Sequence, residues 1–246
     1  MKKETILLFL CVLIGTQVSA QKRELDFFAV DTYEIDLSDS AKEKYARRDF
    51  LIKKLETTIG LDSAEMVERA SLLLWLGEGT TIYDIVGEGC SWYCGGGNDS
   101  VYASSSLDSI KGKSYSALEA NDLQYNTAWV EGAKGNGVGE YLEYFFANKS
   151  ARITEIIIAN GYLKSEKAWN ENNRVKKLKL SVNGRAYGML NLQDARTSQT
   201  FKIGLLGHNM DGTKLVLKFE IMEVYSGTKY DDTAITEIYF DGIDVH

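Results

Sequence analysis

Side chains able to bind a hydroxyl-rich ligand are concentrated in a few polar segments of this sequence. Amides and carboxylates can bracket neighbouring hydroxyl groups, and an aromatic ring offers a flat apolar surface beside them. Solvated loops are also rich in these residue types, which is the alternative interpretation for any single position. The predicted binding residues are Tyr162, Trp169, Asn170, Asn172, Asn173, Tyr230, Asp231 and Asp232.

A second set of polar groups lies in residues 121–127, which read Asn-Asp-Leu-Gln-Tyr-Asn-Thr. Hard cations such as calcium bind several oxygen ligands, including backbone carbonyls, and a short loop of this composition can supply many of them. The alternative is an Asx-type turn capped by Asp122 without a metal. Trp129 follows this loop at the start of a predicted strand, a position that favours the core over stacking on a sugar ring.

The sequence contains no recognisable catalytic constellation. The two histidines, His208 and His246, are not part of a Gly-x-Ser-x-Gly motif or a comparable cysteine motif. Asp231 and Asp232 are adjacent, so on a strand they would point to opposite faces and could not act as a glycosidase pair. We therefore predict that the protein is not an enzyme.

Residues 1–20 have the pattern of an export signal. Lys2 and Lys3 precede an apolar run over residues 6–14, and Val-Ser-Ala before position 21 suits cleavage after Ala20. The apolar run is too short to span a bilayer, and the alternative is an uncleaved anchor. We predict a secreted or periplasmic protein with no transmembrane segment after cleavage.

Cysteine usage and charge restrict the partners further. Cys90 and Cys94 are expected to close a small disulfide loop in an oxidising compartment, because the histidines are too distant in sequence to complete a metal site. The formal net charge of −7 repels phosphate backbones and argues against nucleic acid as the partner. The same charge is also explained by solubility alone. The sequence leaves the oligomeric state open.

Helical signals are confined to residues 38–77. Ser38 can cap a helix whose apolar residues recur near the helical period, and Gly60 is expected to stop it. Asp62 and Glu65 form a capping-box pattern that opens a second helix. We expect the two helices to pack on each other or on the rest of the protein, and the alternative is that their apolar sides form a partner-binding surface. The apolar side of the second helix should consist of Met66, Ala70, Leu73 and Leu74.

Beyond a segment rich in glycine, serine and cysteine, the hydrophobic period changes to two. Leu178, Leu180 and Val182 alternate with polar residues and run into Asn183-Gly184, the strongest short hairpin signal. Similar alternation recurs in residues 142–146, 156–158, 201–205 and 215–221. This period predicts an all-β fold with antiparallel pairing.

Several ordered motifs carry a resemblance to one family. They are Thr-Ala-Trp-Val-Glu-Gly at 127–132, Gly-Asn-Gly-Val-Gly-Glu at 135–140, and the segments 160–162, 173–176 and 230–240. Residues 98 to 246 resemble the NADase-type glycan-binding domain, a discoidin-like (galactose-binding-like) antiparallel β-sandwich. The resemblance implies glycan binding by loops at one end of the sandwich. It also implies a structural calcium ion with Asp122, Thr127 and Glu237 as side-chain ligands.

These observations divide the chain into a signal peptide (1–20), an N-terminal helical region with a Gly/Cys linker (21–97) and a discoidin-like β-sandwich (98–246). The catalytic half of the toxin family has no counterpart in this sequence, so NAD cleavage is not expected. We predict an exported, non-catalytic glycan-binding protein. The alternative is a cell-envelope protein–protein interaction module with the same fold and no sugar ligand.

Overall fold

The computed structural model describes residues 25–88, 91–209 and 211–245. The predicted export signal lies outside the described residues, as do Cys90 and His246. The disulfide between Cys90 and Cys94 therefore stays a prediction. Within the described ranges, no helix has both the length and the apolar character needed to cross a membrane.

The N-terminal region contains the two predicted helices and, in front of them, two short strands. The elements are β1 (Leu25–Phe28), β2 (Asp31–Glu34), α1 (Asp39–Leu55) and α2 (Ser63–Leu76). The Ser38 side chain caps α1, and Asp62 with Glu65 forms the predicted capping box of α2. Both helix starts are therefore where local capping chemistry places them.

The two helices pack against each other, and two ion pairs join them, Arg47 with Glu68 and Lys54 with Glu65. The prediction for the inner side of α2 was wrong at three positions, because Met66, Ala70 and Leu74 are all exposed. Met66 is 55% exposed and Leu74 is 80% exposed. The reason is that α2 contacts α1 along a narrow line and buries none of its residues fully.

The remainder of the chain is mainly β-structure. Its elements are β3 (Ser100–Ala103), β4 (Trp129–Val130), β5 (Tyr141–Phe146), β6 (Arg152–Asn160), α3 (Glu166–Glu171), β7 (Asn173–Val182), β8 (Arg185–Asn191), β9 (Thr197–Leu206), β10 (Leu215–Tyr225) and β11 (Thr233–Ile243). The turn between β7 and β8 contains Asn183 and Gly184 with φ of 47° and 74°, the left-handed conformations that this hairpin type requires. The predicted strands and hairpin are confirmed.

Hydrogen bonds connect these strands into two layers. One layer has the order β2-β9-β6-β11, with β4 beside β11, and the other has the order β1-β8-β7-β10-β5-β3. The layers meet where Thr233 and Ala234 of β11 pair in parallel with Asn173 and Arg174 of β7. All other neighbouring strands are antiparallel except β1, which pairs in parallel with β8.

Pairing of β1 with β8 and of β2 with β9 was not predicted from the sequence. The strands β1 and β2 have only four residues each, and they are held in an extended conformation by hydrogen bonds to the sheet edges that they join. Gly188 in β8 allows the close approach of β1, since a Cβ there would lie 2.6 Å from the Leu25 carbonyl oxygen. The sheet therefore extends into the region before the helices.

The core lies between the two layers. The ring of Phe240 on β11 contacts Tyr144 and Phe146 of β5 at centroid distances of 5.2 and 5.1 Å, and Phe219 of β10 at 6.5 Å. Contacts between strands of different layers show that the sheets face each other. Trp129 is fully buried and donates through Nε1 to the Ser105 carbonyl oxygen at 2.8 Å, so its predicted place in the core is confirmed.

Candidate functional site

An open cavity of about 370 Å³ lies at the end of the sandwich where β6 ends and β7 and β11 begin. We call it the end cavity. Its apolar side is formed by Leu107, Ile110, Tyr115, Val130, Tyr162 and Ala168. Its polar rim is formed by Lys164, Glu171, Asn172, Tyr230 and Asp232. Strand ends and three separate connections therefore contribute to one concave surface.

The structure brings four of the predicted binding residues together and leaves four away from the cavity. Tyr162, Asn172, Tyr230 and Asp232 line the end cavity. Trp169, Asn170, Asn173 and Asp231 are not among its lining residues. Position along the chain does not produce this division, because Asp231 lies between Tyr230 and Asp232 and does not line the cavity.

Tyr162 forms the floor of the end cavity. It packs in a small apolar cluster with Ala128, Val130 and Ala234, and the ring of Tyr115 meets it edge-on at a centroid distance of 6.3 Å. Only 8% of Tyr162 is exposed. Burial, together with the neighbouring Tyr115 and Glu119, raises the pKa of its hydroxyl to about 12. Tyr162 is thus a fixed neutral group at physiological pH.

The rim on the opposite side carries acceptors. Burial, and then the adjacent charge of Asp231, raises the pKa of Asp232 above its usual value. Asn172 donates through Nδ2 to the Ala168 carbonyl oxygen at 2.8 Å. Tyr230 is 41% exposed, and its backbone N–H donates to the Glu171 carbonyl oxygen at 2.9 Å. The rim is therefore ordered by backbone contacts while its side chains remain accessible.

Asn173 and Trp169 support this rim from behind. Asn173 is 3% exposed and donates through Nδ2 to the Asp231 carbonyl oxygen at 2.5 Å, while its Oδ1 accepts from Gly227 N–H at 2.6 Å. Trp169 donates through Nε1 to the Asn160 carbonyl oxygen at 3.2 Å. These contacts assign structural roles to two residues that the sequence suggested as ligand contacts.

Arg174 completes the support. Its guanidinium lies 4.4 Å from the ring centroid of Trp169 and forms two 2.9 Å hydrogen bonds with the carboxylate of Asp194. Gly161 makes this arrangement possible, because a Cβ at its φ of 76° would lie 2.6 Å from Cγ of Arg174. The stack explains why the half-buried indole ring is held against Arg174 and does not line the cavity.

The loop predicted to bind a cation directly precedes Ala128 and β4 in the chain. Gln124 N–H donates to Oδ1 of Asp122 at 3.0 Å, and the Thr127 hydroxyl donates to Oδ2 of Asp122 at 2.8 Å. Leu123 has a φ of 58°, which is costly for a side chain of this kind, and its N–H donates to Oε2 of Glu237 at 2.9 Å. The loop thus has the Asx-type turn and also brings the three predicted ligands close together.

The Glu237 side chain has an unusual environment. It is fully buried, and its Oε1 makes no hydrogen bond with any residue that the structure describes. Burial, and then the charge of Asp122, raises the pKa of Glu237 well above its usual value. Burial likewise raises the pKa of Asp122. Two facing carboxyl groups with one unpartnered oxygen fit a cation, which would satisfy that oxygen and remove the repulsion.

No cluster of three or more acidic, histidine or cysteine side chains suited to a metal is present among the described residues. A cation in this loop would therefore take most of its ligands from backbone carbonyls and the Thr127 hydroxyl. Calcium accepts such ligands, whereas zinc prefers nitrogen and sulfur. The donor set is compatible with calcium and not with a structural zinc site.

A comparison of the sequence with protein families identifies the C-terminal part of the chain. The family model described as the NAD glycohydrolase translocation F5/8 type C domain matches residues 92–241. The chain belongs to this family. The match includes the strands and loops that build the end cavity in this F5/8 type C domain protein. The family description names a translocation domain, and it does not assign a reaction to these residues.

Solved structures provide further comparisons. CpGH89CBM32-5 from Clostridium perfringens, in complex with GalNAc-β-1,3-galactose, is 18% identical over 58% of this chain and 94% of that chain, with a TM-score of 0.42. The CBM32-1 and CBM32-2 domains of C. perfringens ZmpB are 9% identical over 84% of this chain and 52% of that chain, with a TM-score of 0.45. No curated protein matches the sequence of this F5/8 type C domain protein.

The sequence patterns do not mark the cavity residues outside the polar loops of the F5/8 type C domain. These are Leu107, Ile110, Tyr115, Val130, Lys164, Ala168 and Glu171. Most belong to the segment between β3 and β4 or to α3, which have no alternating pattern to mark an inner face. A tyrosine such as Tyr115 beside serines was a weak signal, because the same composition is common in surface loops.

Proposed function

We propose that this protein binds carbohydrate in the end cavity and does not transform it. The supporting observation is that one open cavity combines an aromatic floor with a rim of acceptors. Tyr115 and Tyr162 form the apolar side, and Asn172 and Asp232 lie on the rim. Sites that recognise small polar ligands commonly combine a mostly apolar surface with a few fixed polar groups.

The chemistry of a sugar matches both sides of this cavity. The C–H face of a pyranose ring can cover the Tyr162 edge or the half-exposed ring of Tyr230, which removes apolar surface from water. Hydroxyl groups on the sugar edge can donate to the carboxylate of Asp232 and exchange hydrogen bonds with Asn172. The Asp232 carboxylate is a stronger acceptor than the Asn172 amide, because hydrogen bonds to charged groups are stronger than those to neutral groups.

We further propose that a calcium ion supports the cavity through the loop 122–127. Asp122, Thr127 and Glu237 would hold it with side-chain oxygens, together with backbone carbonyls. The loop continues directly into Ala128 and Val130, which pack against Tyr162. The ion supplies charge neutralisation and fixes the loop, so its effect on the cavity is structural.

Glycan-array screening followed by calorimetry tests the proposal. Tyr230→Ala should weaken binding of the selected glycan by about two- to tenfold, the usual value of one aromatic contact. Asp232→Ala should weaken it by about tenfold or more, through loss of a charge-assisted hydrogen bond. Tyr102→Ala is the matched control, because Tyr102 is 53% exposed on β3 and does not line the cavity.

The result that supports the proposal is retention by at least one glycan class that the two cavity variants lose and the control keeps. Circular dichroism of each variant should remain that of the wild-type protein, since Tyr230 and Asp232 have no part in the core. Silence of the folded wild-type protein on arrays of all glycan classes would overturn the proposal. Equal binding by all three variants would place the site elsewhere.

A further inference from the structure

Two lysines, Lys113 and Lys164, lie at one edge of the end cavity although the chain as a whole is acidic, with a formal charge of −7. Lys111 and Lys113 belong to a tight turn closed by two backbone hydrogen bonds between Ile110 and Lys113, at 3.1 and 3.0 Å. Lys111 and Gly112 have φ of 52° and 77°, the conformation of a two-residue hairpin turn. The turn thus holds Lys113 directly beside Ile110, which lines the cavity.

Lys164 lies on the same edge. It lines the cavity, and its Nζ is 5.0 Å from the ring centroid of Tyr162. Burial lowers the pKa of Lys164, and next to burial the side-chain contact with Lys113, followed by the charge of Lys113, lowers it further. Two ammonium groups therefore face each other at the mouth of an apolar cavity, an arrangement that costs free energy in the unliganded protein.

The acidic side chains nearby do not neutralise this pair. Within the residues that the structure describes, neither Lys113 nor Lys164 has a carboxylate within 4.0 Å. On the opposite rim, the Glu171 carboxylate lies 3.9 Å from the ammonium groups of Lys167 and Lys229. The cavity is consequently polarised, with unpaired positive charge on one edge and acceptors on the other.

We infer that the carbohydrate bound in the end cavity carries an anionic substituent, a carboxylate or a sulfate, which is held between Lys113 and Lys164. This inference rests on the proposed function and specifies its ligand class. An anion at this edge would pair with both ammonium groups and relieve their mutual repulsion. Asp232 on the opposite rim would repel the same anion and accept from hydroxyl groups, so the two rims would fix one orientation of the sugar.

Three probes that differ only in the substituent test the inference: lactose, 3′-sialyllactose with a carboxylate, and 3′-sulfolactose with a sulfate. Calorimetry at low and at physiological salt should show that at least one acidic probe binds about tenfold more tightly than lactose, the value of one charge-assisted hydrogen bond. The advantage should shrink as salt is raised, because the lysines are partly solvated.

The double variant Lys113→Gln with Lys164→Gln should bind the acidic probes no more tightly than lactose. Lys149→Gln is the matched control. Lys149 is an exposed lysine at the other end of β6, and it should leave all three affinities unchanged. The preferred acidic probe then identifies the substituent as carboxylate or sulfate.

Three outcomes would overturn the inference in different ways. If lactose binds as tightly as both acidic probes and the double variant changes nothing, carbohydrate binding stands and the anionic substituent is wrong. If the folded protein binds none of these probes and no other glycan, the proposed function and this inference fail together. A loss of lactose binding in the double variant would show that the lysines hold the sugar itself, which also contradicts the inference.

Discussion

Replacing Glu237 by glutamine tests the proposed calcium ion at its most unusual side chain. In the wild-type protein this carboxylate is fully buried, has one oxygen without a hydrogen-bond partner among the described residues, and faces Asp122. Glutamine keeps an oxygen that can accept from Leu123 N–H and removes the charge. Without calcium, the variant should therefore be more stable than the wild-type protein, and it should no longer respond to calcium.

The expected size follows from the buried group. The amide nitrogen of glutamine takes the place of the unpartnered oxygen, so the gain comes from removing the buried charge and its repulsion by Asp122. Such a buried group costs at least about 1–3 kcal/mol. For a domain of this size each kcal/mol changes the melting temperature by roughly 2–4 °C, so Glu237→Gln in a chelator should melt roughly 2–12 °C higher than wild type. Calcium at about a hundred times its dissociation constant adds about 2.7 kcal/mol to wild-type stability, or roughly 5–11 °C.

The pH dependence has a defined sign. The pKa values of Glu237 and Asp122 are both raised in the folded protein, so each proton is held more tightly there than in the unfolded chain. Their contribution to stability is present below the unfolded pKa and is lost as pH rises through the folded pKa. In a chelator, the wild-type melting temperature should fall as pH rises from about 4.5 towards neutrality, and calcium should reduce that fall.

Differential scanning fluorimetry with chelator and with calcium measures all three quantities, and Glu43→Gln on the exposed face of α1 is the control for loss of one glutamate. The control should match the wild-type protein under every condition. A lower melting temperature of Glu237→Gln in the chelator would refute the argument from the buried charge. An undiminished calcium response in Glu237→Gln would refute the role of this residue as a ligand.

Three further substitutions test the framework of the cavity and the core. Asn173→Ala should weaken glycan binding, measured by calorimetry, and lower the free energy of unfolding by about 1–3 kcal/mol, because it frees the loop before β11; unchanged binding would contradict its supporting role. Gly161→Ala should destabilise the protein by more than about 1 kcal/mol in urea, since its Cβ would meet Arg174 and Trp169; a neutral effect would show that this stack can move. Phe240→Ala should cost about 3–5 kcal/mol in the same assay, and a smaller loss would mean that the layers repack.

Local patterns were sufficient to predict most of the elements. Ser38 and the pair Asp62 and Glu65 mark helix starts, because capping involves backbone groups within three residues of the cap. Asn183-Gly184 marks the β7–β8 hairpin for the same reason, since the turn depends on two backbone conformations. These signals act over a few residues and do not require knowledge of the partner strand.

The edges of the fold could not be predicted in this way. The strands β1 and β2 are short, and their hydrogen-bond partners β8 and β9 lie more than 150 residues later. Likewise, the apolar period of α2 is compatible with burial, but the structure places Leu74 in solvent. Whether the apolar face of a helix is buried depends on which other elements of the chain pack against it.

The sequence by itself determined the β-sandwich, its hairpins and the polar loops from which a site could be made, because alternation and turn chemistry are encoded residue by residue. Only the tertiary structure decided which loop side chains share a cavity. Tyr162 and Asp232 meet there because β6 ends beside the start of β11. Trp169, in the same kind of segment, turns inward to Arg174, because packing across strand ends fixes each side chain's direction and sequence spacing does not.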